Sequence, residues 1–164
     1  MIHVPTLEGM AYNFYGSSRL IVPMIDARNQ QVFAGIYSFR KPETGLPDSC
    51  EAHPEERDPL CVLSKQEALH VTDLCEKLNS LAQETGKEVI LLGDGAFAYR
   101  EIIAENLKAP YRYAPAHLAW QRAGSVAVRA ADLARQGKLE TAAAHRPAYL
   151  RVSQAERVRA QKEG

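Results

Sequence analysis

Two apolar runs around a short polar turn decide the fold: Arg19-Leu-Ile-Val-Pro-Met-Ile-Asp-Ala27 and Gln31-Val-Phe-Ala-Gly-Ile-Tyr-Ser-Phe39. The first run is rich in branched residues, and the second alternates two sets of side chains along its length. The segment Asp26 to Gln30 between them supplies turn chemistry. The pattern predicts an antiparallel β-hairpin at the start of a sheet.

The segments on either side of this hairpin predict short elements and a loop. A short helix precedes the hairpin, with Thr6 as its N-cap. The segment Arg40 to Pro59 is rich in proline and acidic residues, which predicts a loop. A short strand over Leu60 to Leu63 follows. Ser64, with Glu67 in capping-box position, then predicts the start of a helix.

The second half of the sequence alternates strands and helices. The helix from Ser64 is expected to end at Gly86. After it the pattern predicts a strand over 88–92, a helix over 96–107, a strand over 111–113 and a long helix over 116–136. The order β-β-β-α-β-α-β-α predicts an α/β fold, a mixed sheet with helices packed on it. It matches one half of the ribonuclease H-like fold. We expect one such domain over 1–150 and a charged tail over 151–164.

Composition and charge restrict the class of protein. Lys plus Arg equals Asp plus Glu, at 20 each, so no whole-surface positive field steers the chain to nucleic acid or anionic membrane. No apolar run approaches the length of a membrane span, and the first residues do not resemble a secretory signal. The three cysteines form no Cys-x-x-Cys pair, which argues against a zinc site or a redox dithiol. We therefore expect a cytoplasmic protein.

Two turns carry the candidate site residues. Gly93-Asp94-Gly95 lies between a predicted strand and a predicted helix, where such a turn lets backbone approach a ligand and a helix N-terminus attracts anions. It is either a degenerate nucleotide turn or a tight turn that needs small residues. Asp26 ends the first strand, where related folds place a carboxylate that handles metal or phosphate. Because the hairpin turn has no glycine, Asp26 and Arg28 are expected to brace it instead.

No other arrangement indicates catalysis or a cofactor. The serines show no Gly-x-Ser-x-Gly elbow, and the histidines form no metal-binding pair at helical spacing. We therefore predict no catalytic residue, no metal ligand and no cofactor. His117 and Trp120 lie near the start of the last helix, where they form either a pocket rim or, as we expect, a packed or solvent-facing pair.

Several of these segments resemble the TsaB (YeaZ) family, in the order in which the family has them. The similar segments are Pro5–Ala11, Val22–Arg28, Gln31–Tyr37, Leu92–Ala96 with Tyr99, and Pro147–Arg151. Family members begin with an Asp-Thr-Ser-type phosphate loop and a Gly-rich segment, and neither is present in this sequence. The chain therefore resembles the C-terminal half of the family, without its N-terminal domain.

The resemblance implies a non-catalytic protein that supports TsaD in the synthesis of threonylcarbamoyladenosine (t6A) in tRNA. TsaD-like and TsaE-like proteins are the implied partners, and tRNA is implied only indirectly. In the family, the missing half is where TsaD and a homodimer mate dock. The alternatives are a small transferase that holds a nucleotide at Gly93 to Gly95, and a bare interaction domain that self-associates as a homodimer through apolar surface.

Overall fold

The computed structural model describes residues 1–40, 59–143 and 145. Most of the predicted loop over 40–59 lies outside the described residues, as do the 147–151 signature and the 151–164 tail. At the ends of that loop, the Arg40 N–H donates to the Pro59 carbonyl at 2.9 Å. Among the described residues, no helix combines the length and apolarity needed to cross a membrane.

The predicted hairpin is confirmed. Strand β1 covers Leu20–Asp26 and pairs antiparallel with β2, Gln31–Phe39. A third strand, β3, covers Leu60–His70 and pairs antiparallel with β2. These three strands form an antiparallel meander, and the pairing between β2 and β3 extends from one end of β2 to the other.

Two short strands extend the sheet on the other side of β1. Strand β4 covers Val89–Leu92 and pairs parallel with β1, and β5 covers Tyr111–Tyr113 and pairs parallel with β4. The five strands stand in the order β3-β2-β1-β4-β5. The protein therefore has the predicted α/β architecture, a mixed five-stranded sheet with helices packed on it.

The helices cover both faces of this sheet. They are α1 Thr6–Ala11, α2 Val71–Thr85, α3 Asp94–Ala98, α4 Arg100–Asn106 and α5 Ala123–Arg135, with 3₁₀ turns at Tyr12–Phe14 and Ala116–Leu118. Helices α2 and α4 cover one face, whereas α1 covers the other and packs against α5. Strand β1 supplies both cores, because Leu20 and Met24 point to the first face and Ile21 points to the second.

A buried polar network joins α1 to α5. Arg129 is 2% exposed, and its guanidinium contacts the Glu8 carboxylate at 2.6 Å. The Tyr12 hydroxyl donates to Asp132 at 2.7 Å, and burial together with this hydrogen bond raises the pKa of Tyr12. A buried charge that kept no partner would be strongly destabilising, so these contacts fix α5 against α1.

Two predicted helix starts are wrong. Thr6 is the first residue of α1, and Pro5 occupies the N-cap without any side-chain hydrogen bond. The helix predicted from Ser64 begins instead at Val71. Ser64 and Glu67 lie in β3, because pairing with the long strand β2 provides more hydrogen bonds than a capping box.

The helix predicted over 96–107 is divided at Tyr99. Its two parts are α3 and α4, and Tyr99 lies between them with φ −111° and ψ 29°. The Tyr99 side chain reaches back to Asp26 at the end of β1. The helix is therefore interrupted at the residue that makes this tertiary contact, and the helical periodicity of the sequence did not indicate the interruption.

The helix predicted over 116–136 begins later, at Ala123, because carbonyls in its first turns are bound from outside. The Asn13 side-chain amide donates to the carbonyls of Leu118 and Trp120, at 2.8 and 2.7 Å. The Gly93 N–H donates to the Ala119 carbonyl at 2.9 Å. Carbonyls engaged in this way are not available to a regular helix, so 119–122 forms a connection instead.

Candidate functional site

The candidate residues meet where two parallel strands end. Asp26 is the last residue of β1, and Gly93 follows the last residue of its parallel neighbour β4. The chain leaves β1 toward β2 and returns to β4 on the opposite side, so the strand order reverses between β1 and β4. In open α/β sheets, ligands bind at the carboxyl ends of strands beside such a reversal.

The hairpin turn that follows Asp26 has a strained backbone. Arg28, Asn29 and Gln30 all have positive φ, at 66°, 51° and 57°. Such values are unfavourable for residues with a Cβ and persist only where surrounding contacts impose them. The Gln31 N–H donates to the Arg28 carbonyl at 3.0 Å and closes the turn.

Asp26 supports this turn through its carboxylate. The Arg28 N–H donates to Asp26 Oδ1 at 2.8 Å. The ion pair between Arg28 Nε and Asp26 Oδ2 is longer, at 3.9 Å, and the Arg28 side chain is 88% exposed. An exposed pair at that distance contributes little. The backbone hydrogen bond is therefore the main contact between these residues.

The segment Gly93-Asp94-Gly95, named here the Asp94 turn, packs directly on the end of β1. Asp94 Oδ1 accepts hydrogen bonds from the Asp26 N–H at 3.1 Å and from the Gly95 N–H at 2.9 Å. Phosphate sites at strand-to-helix turns use backbone N–H groups of this kind as donors. The Asp94 carboxylate already occupies them and adds a negative charge.

Close packing accounts for both glycines of the Asp94 turn. Gly93 has φ +92°, and a Cβ there would lie 2.2 Å from the Met24 carbonyl oxygen. A Cβ at Gly95 would lie 2.9 Å from Val32 Cγ1 and 3.2 Å from the Asp26 nitrogen. The small residues therefore allow the start of α3 to touch β1 and β2.

Tyr99 is part of this site, although residue patterns alone did not indicate its role. Its hydroxyl donates to Asp26 Oδ1 at 2.6 Å. This hydrogen bond is the main cause that lowers the pKa of Asp26, and the Arg28 N–H adds to it. Burial and the same hydrogen bond raise the pKa of Tyr99. Asp26 is therefore held ionised and is a weak general base at neutral pH.

Residues suited to nucleophilic or metal chemistry are dispersed in the described structure. In the part of the chain that the structure describes, no three His, Cys, Asp or Glu residues form a cluster able to hold a metal ion. Burial raises the pKa of Cys75 to about 11, so its thiol is unreactive at neutral pH. Cys61 is partly buried, and Cys50 lies outside the described residues. His117 and Trp120 are both exposed.

Comparisons with known proteins support the fold. No protein-family model and no curated protein matches this sequence. The chain is similar to a crystal structure of an uncharacterized protein from Pseudomonas aeruginosa, described as having similarity to peptidase YeaZ. The TM-score is 0.58 at 15% sequence identity, and the match covers 90% of this chain and 57% of the other. The mixed α/β sheet is therefore consistent with a YeaZ-like fold, and the chain spans little more than half of that structure.

Proposed function

We propose that this chain corresponds to the C-terminal half of a TsaB-type protein and supports a TsaD-type enzyme without a catalytic site of its own. The supported reaction is the transfer of a threonylcarbamoyl group to an adenosine of tRNA. TsaD-like and TsaE-like proteins in the cytoplasm are the proposed partners. The YeaZ-like fold supports this assignment, and the segments that resemble the TsaB family add to it.

The sheet supports the ribonuclease H-like part of the proposal. Strand β2 is antiparallel to both of its neighbours, whereas β1, β4 and β5 run parallel to one another. A three-stranded meander followed by two parallel strands is the arrangement that the element order predicts for one half of that fold. The order β3-β2-β1-β4-β5 supports this part of the proposal.

The occupied Asp94 turn is the observation that carries the non-catalytic part of the proposal. A working phosphate site needs unpaired backbone N–H groups at a glycine-rich turn. Here the Asp94 carboxylate takes the N–H groups of Asp26 and Gly95, and the hairpin turn opposite contains no glycine. A turn with this geometry serves packing, which supports a role without phosphate chemistry at this position.

Reconstituted tRNA modification tests the proposal. A TsaD-type and a TsaE-type enzyme are incubated with substrate and unmodified tRNA, with and without this chain, and modified adenosine is measured after digestion of the tRNA. We expect the chain to bind the TsaD-type enzyme and to raise the yield. The Asp26→Asn variant should act like the wild type, because no chemistry passes through that carboxylate.

Two results would contradict the proposal. A folded chain that neither binds the TsaD-type enzyme nor changes the yield removes the supporting role. ATP turnover by the pure chain that disappears in both Asp26→Asn and Asp94→Asn would assign catalysis to the Asp94 turn. In that case the transferase alternative replaces the supporting role.

A further inference from the structure

Three aromatic rings form a stack at the carboxyl end of β5. The Tyr113 and Phe97 rings lie 5.7 Å apart at 26°, and the Phe97 and Trp120 rings lie 6.2 Å apart at 28°. These separations and near-parallel angles are typical of offset stacking. We name Tyr113, Phe97 and Trp120 the Trp120 stack.

The two ends of the Trp120 stack differ. At the Tyr113 end, the Tyr111 ring packs edge-on at 86°, and the Arg100 guanidinium lies 5.5 Å from the Tyr113 ring centre. At the other end, Trp120 is 54% exposed. The stack is therefore covered at the Tyr113 end, whereas Trp120 is more than half exposed, so another flat ring has access to its indole.

The position of Trp120 is fixed by its backbone. Its carbonyl accepts a hydrogen bond from the Asn13 side chain at 2.7 Å, and Asn13 also holds the Leu118 carbonyl. The neighbouring residue Ala119 is fully buried, and its carbonyl is bound by the Gly93 N–H. An aromatic side chain that is held in place before binding loses little conformational entropy when a ligand stacks on it.

The segment of chain that carries Trp120 contains basic residues and no acidic ones. No acidic residue occurs in the sequence between Glu105 and Asp132, and the exposed His117 and Arg122 flank Trp120 in this segment. Arg122 also lines an open groove of about 600 Å³, together with Tyr15 and the start of α5. Arg122, two residues after Trp120 in the sequence and exposed, is therefore the cation that a phosphate attached to a base on Trp120 would meet.

We propose that the open face of Trp120 binds an unpaired nucleobase, with the attached phosphate directed toward Arg122. The chemical class is a nucleotide, supplied either free or within single-stranded RNA. Aromatic faces that stack bases beside cationic side chains are the usual means of binding single strands without sequence preference. This site does not depend on the TsaB-type assignment, and it differs from the Asp94 turn, whose donors are occupied.

Intrinsic fluorescence tests the site directly, because Trp120 is the only tryptophan in the chain. The protein is titrated at low salt with AMP, with oligoadenylate, and with an abasic oligomer that carries the same phosphates. We expect saturable quenching by AMP and by oligoadenylate and little by the abasic oligomer. Tighter binding of oligoadenylate than of AMP assigns single-stranded RNA as the ligand, and equal binding assigns the free nucleotide.

Variants make the test specific. In anisotropy measurements with labelled oligoadenylate, Trp120→Ala should bind about ten-fold more weakly, as expected for the loss of one stacked base. Trp120→Phe should retain part of the affinity. Leu63→Ala is the control, because Leu63 is 43% exposed on β3, at the opposite edge of the sheet. Circular dichroism verifies that each variant is folded.

Three outcomes would overturn this proposal. Equal binding of the abasic oligomer shows that phosphate charge acts without stacking. Unchanged affinity in folded Trp120→Ala places the ligand elsewhere. A blue shift of the emission that depends on protein concentration, without any response to nucleotide, shows that a second copy of the chain covers Trp120. The tRNA modification assay can fail or succeed in each of these cases, so the two proposals are tested separately.

Discussion

The Asp94 turn and the Trp120 stack both lie at the carboxyl ends of the parallel strands, but they differ in what they leave exposed. At the Asp94 turn, the carboxylate binds the backbone N–H groups of Asp26 and Gly95, and both glycines lie against strands. At the Trp120 stack, Trp120 is 54% exposed. At the strand ends beside the reversal in strand order, these two N–H groups are already bound, whereas the exposed ring lies beside β5.

A sequence motif does not by itself make a ligand site. A Gly-Asp-Gly sequence after a strand suggests a phosphate turn, yet its donors serve the protein itself. The Trp120 stack has no sequence motif, because its rings come from separate segments of the chain. We therefore expect substitutions at the Asp94 turn to change mainly stability, and substitutions at the Trp120 stack to change mainly ligand binding.

The largest expected effect is the loss of stability in Gly93→Ala. The new Cβ would lie 2.2 Å from the Met24 carbonyl oxygen at a residue with φ +92°, so we expect a loss of about 3 kcal/mol. Gly86→Ala is the matched control, because Gly86 also has positive φ but has open space around it. That variant should lose only about 1 kcal/mol. Urea unfolding measures both, and equal losses would show that the close contact is not important.

A smaller loss is expected when the Asp94 carboxylate is removed. Asp94→Ala leaves the Asp26 and Gly95 N–H groups without their acceptor, which should destabilise the protein by about 1.5 kcal/mol. Asp94→Asn retains an oxygen at this position and should lose less. Inorganic phosphate should raise the melting temperature of Asp94→Ala more than that of the wild type. A similar rise in both proteins would mean that phosphate does not need the freed donors.

The hydrogen bond from Tyr99 to Asp26 should give a pH-dependent contribution. Its presence lowers the pKa of Asp26, so the stabilisation is present above the unfolded-state pKa, about 3.9, and is lost as the pH falls through the lower folded-state value. Tyr99→Phe should lose about 1 kcal/mol at pH 7. The difference between wild type and variant should shrink below about pH 4. A difference in unfolding free energy that stays constant to pH 2 would exclude this linkage.

The smallest effect on stability is expected at the Trp120 stack. Trp120→Ala removes a half-exposed ring with one stacking neighbour, so unfolding free energy should change by about 0.5 kcal/mol. Thermal unfolding measures this change. A loss as large as that of Gly93→Ala would identify Trp120 as a structural residue rather than a binding surface.

Elements that depend on neighbouring residues could be predicted from the sequence. Elements whose boundaries depend on contacts between distant segments could not. The hairpin of β1 and β2 could be predicted, because its strands and turn are adjacent in the sequence. The helix start at Val71 could not, since pairing with β2 extends β3 through Ser64 and Glu67. The late start of α5 depends on the side chain of Asn13, far away in the sequence.

The same distinction applies to the candidate site. Asp26 and Asp94 could each be selected from their positions at strand ends. Their contact depends on the parallel pairing of β1 with β4, which residue patterns do not specify. The role of Tyr99 depends on the break between α3 and α4, which orients its hydroxyl toward Asp26. The Trp120 stack likewise requires the tertiary structure.

One nitrogen-15 NMR titration with AMP tests the contrast between the closed turn and the open stack most directly. The indole N–H of Trp120 and the backbone N–H groups of Asp26 and Gly95 are followed in the same spectra. We predict a saturable shift of the Trp120 indole signal, with the Asp26 and Gly95 signals unchanged. Saturable shifts of Asp26 and Gly95 with a stationary Trp120 signal would contradict this account and place the nucleotide at the Asp94 turn.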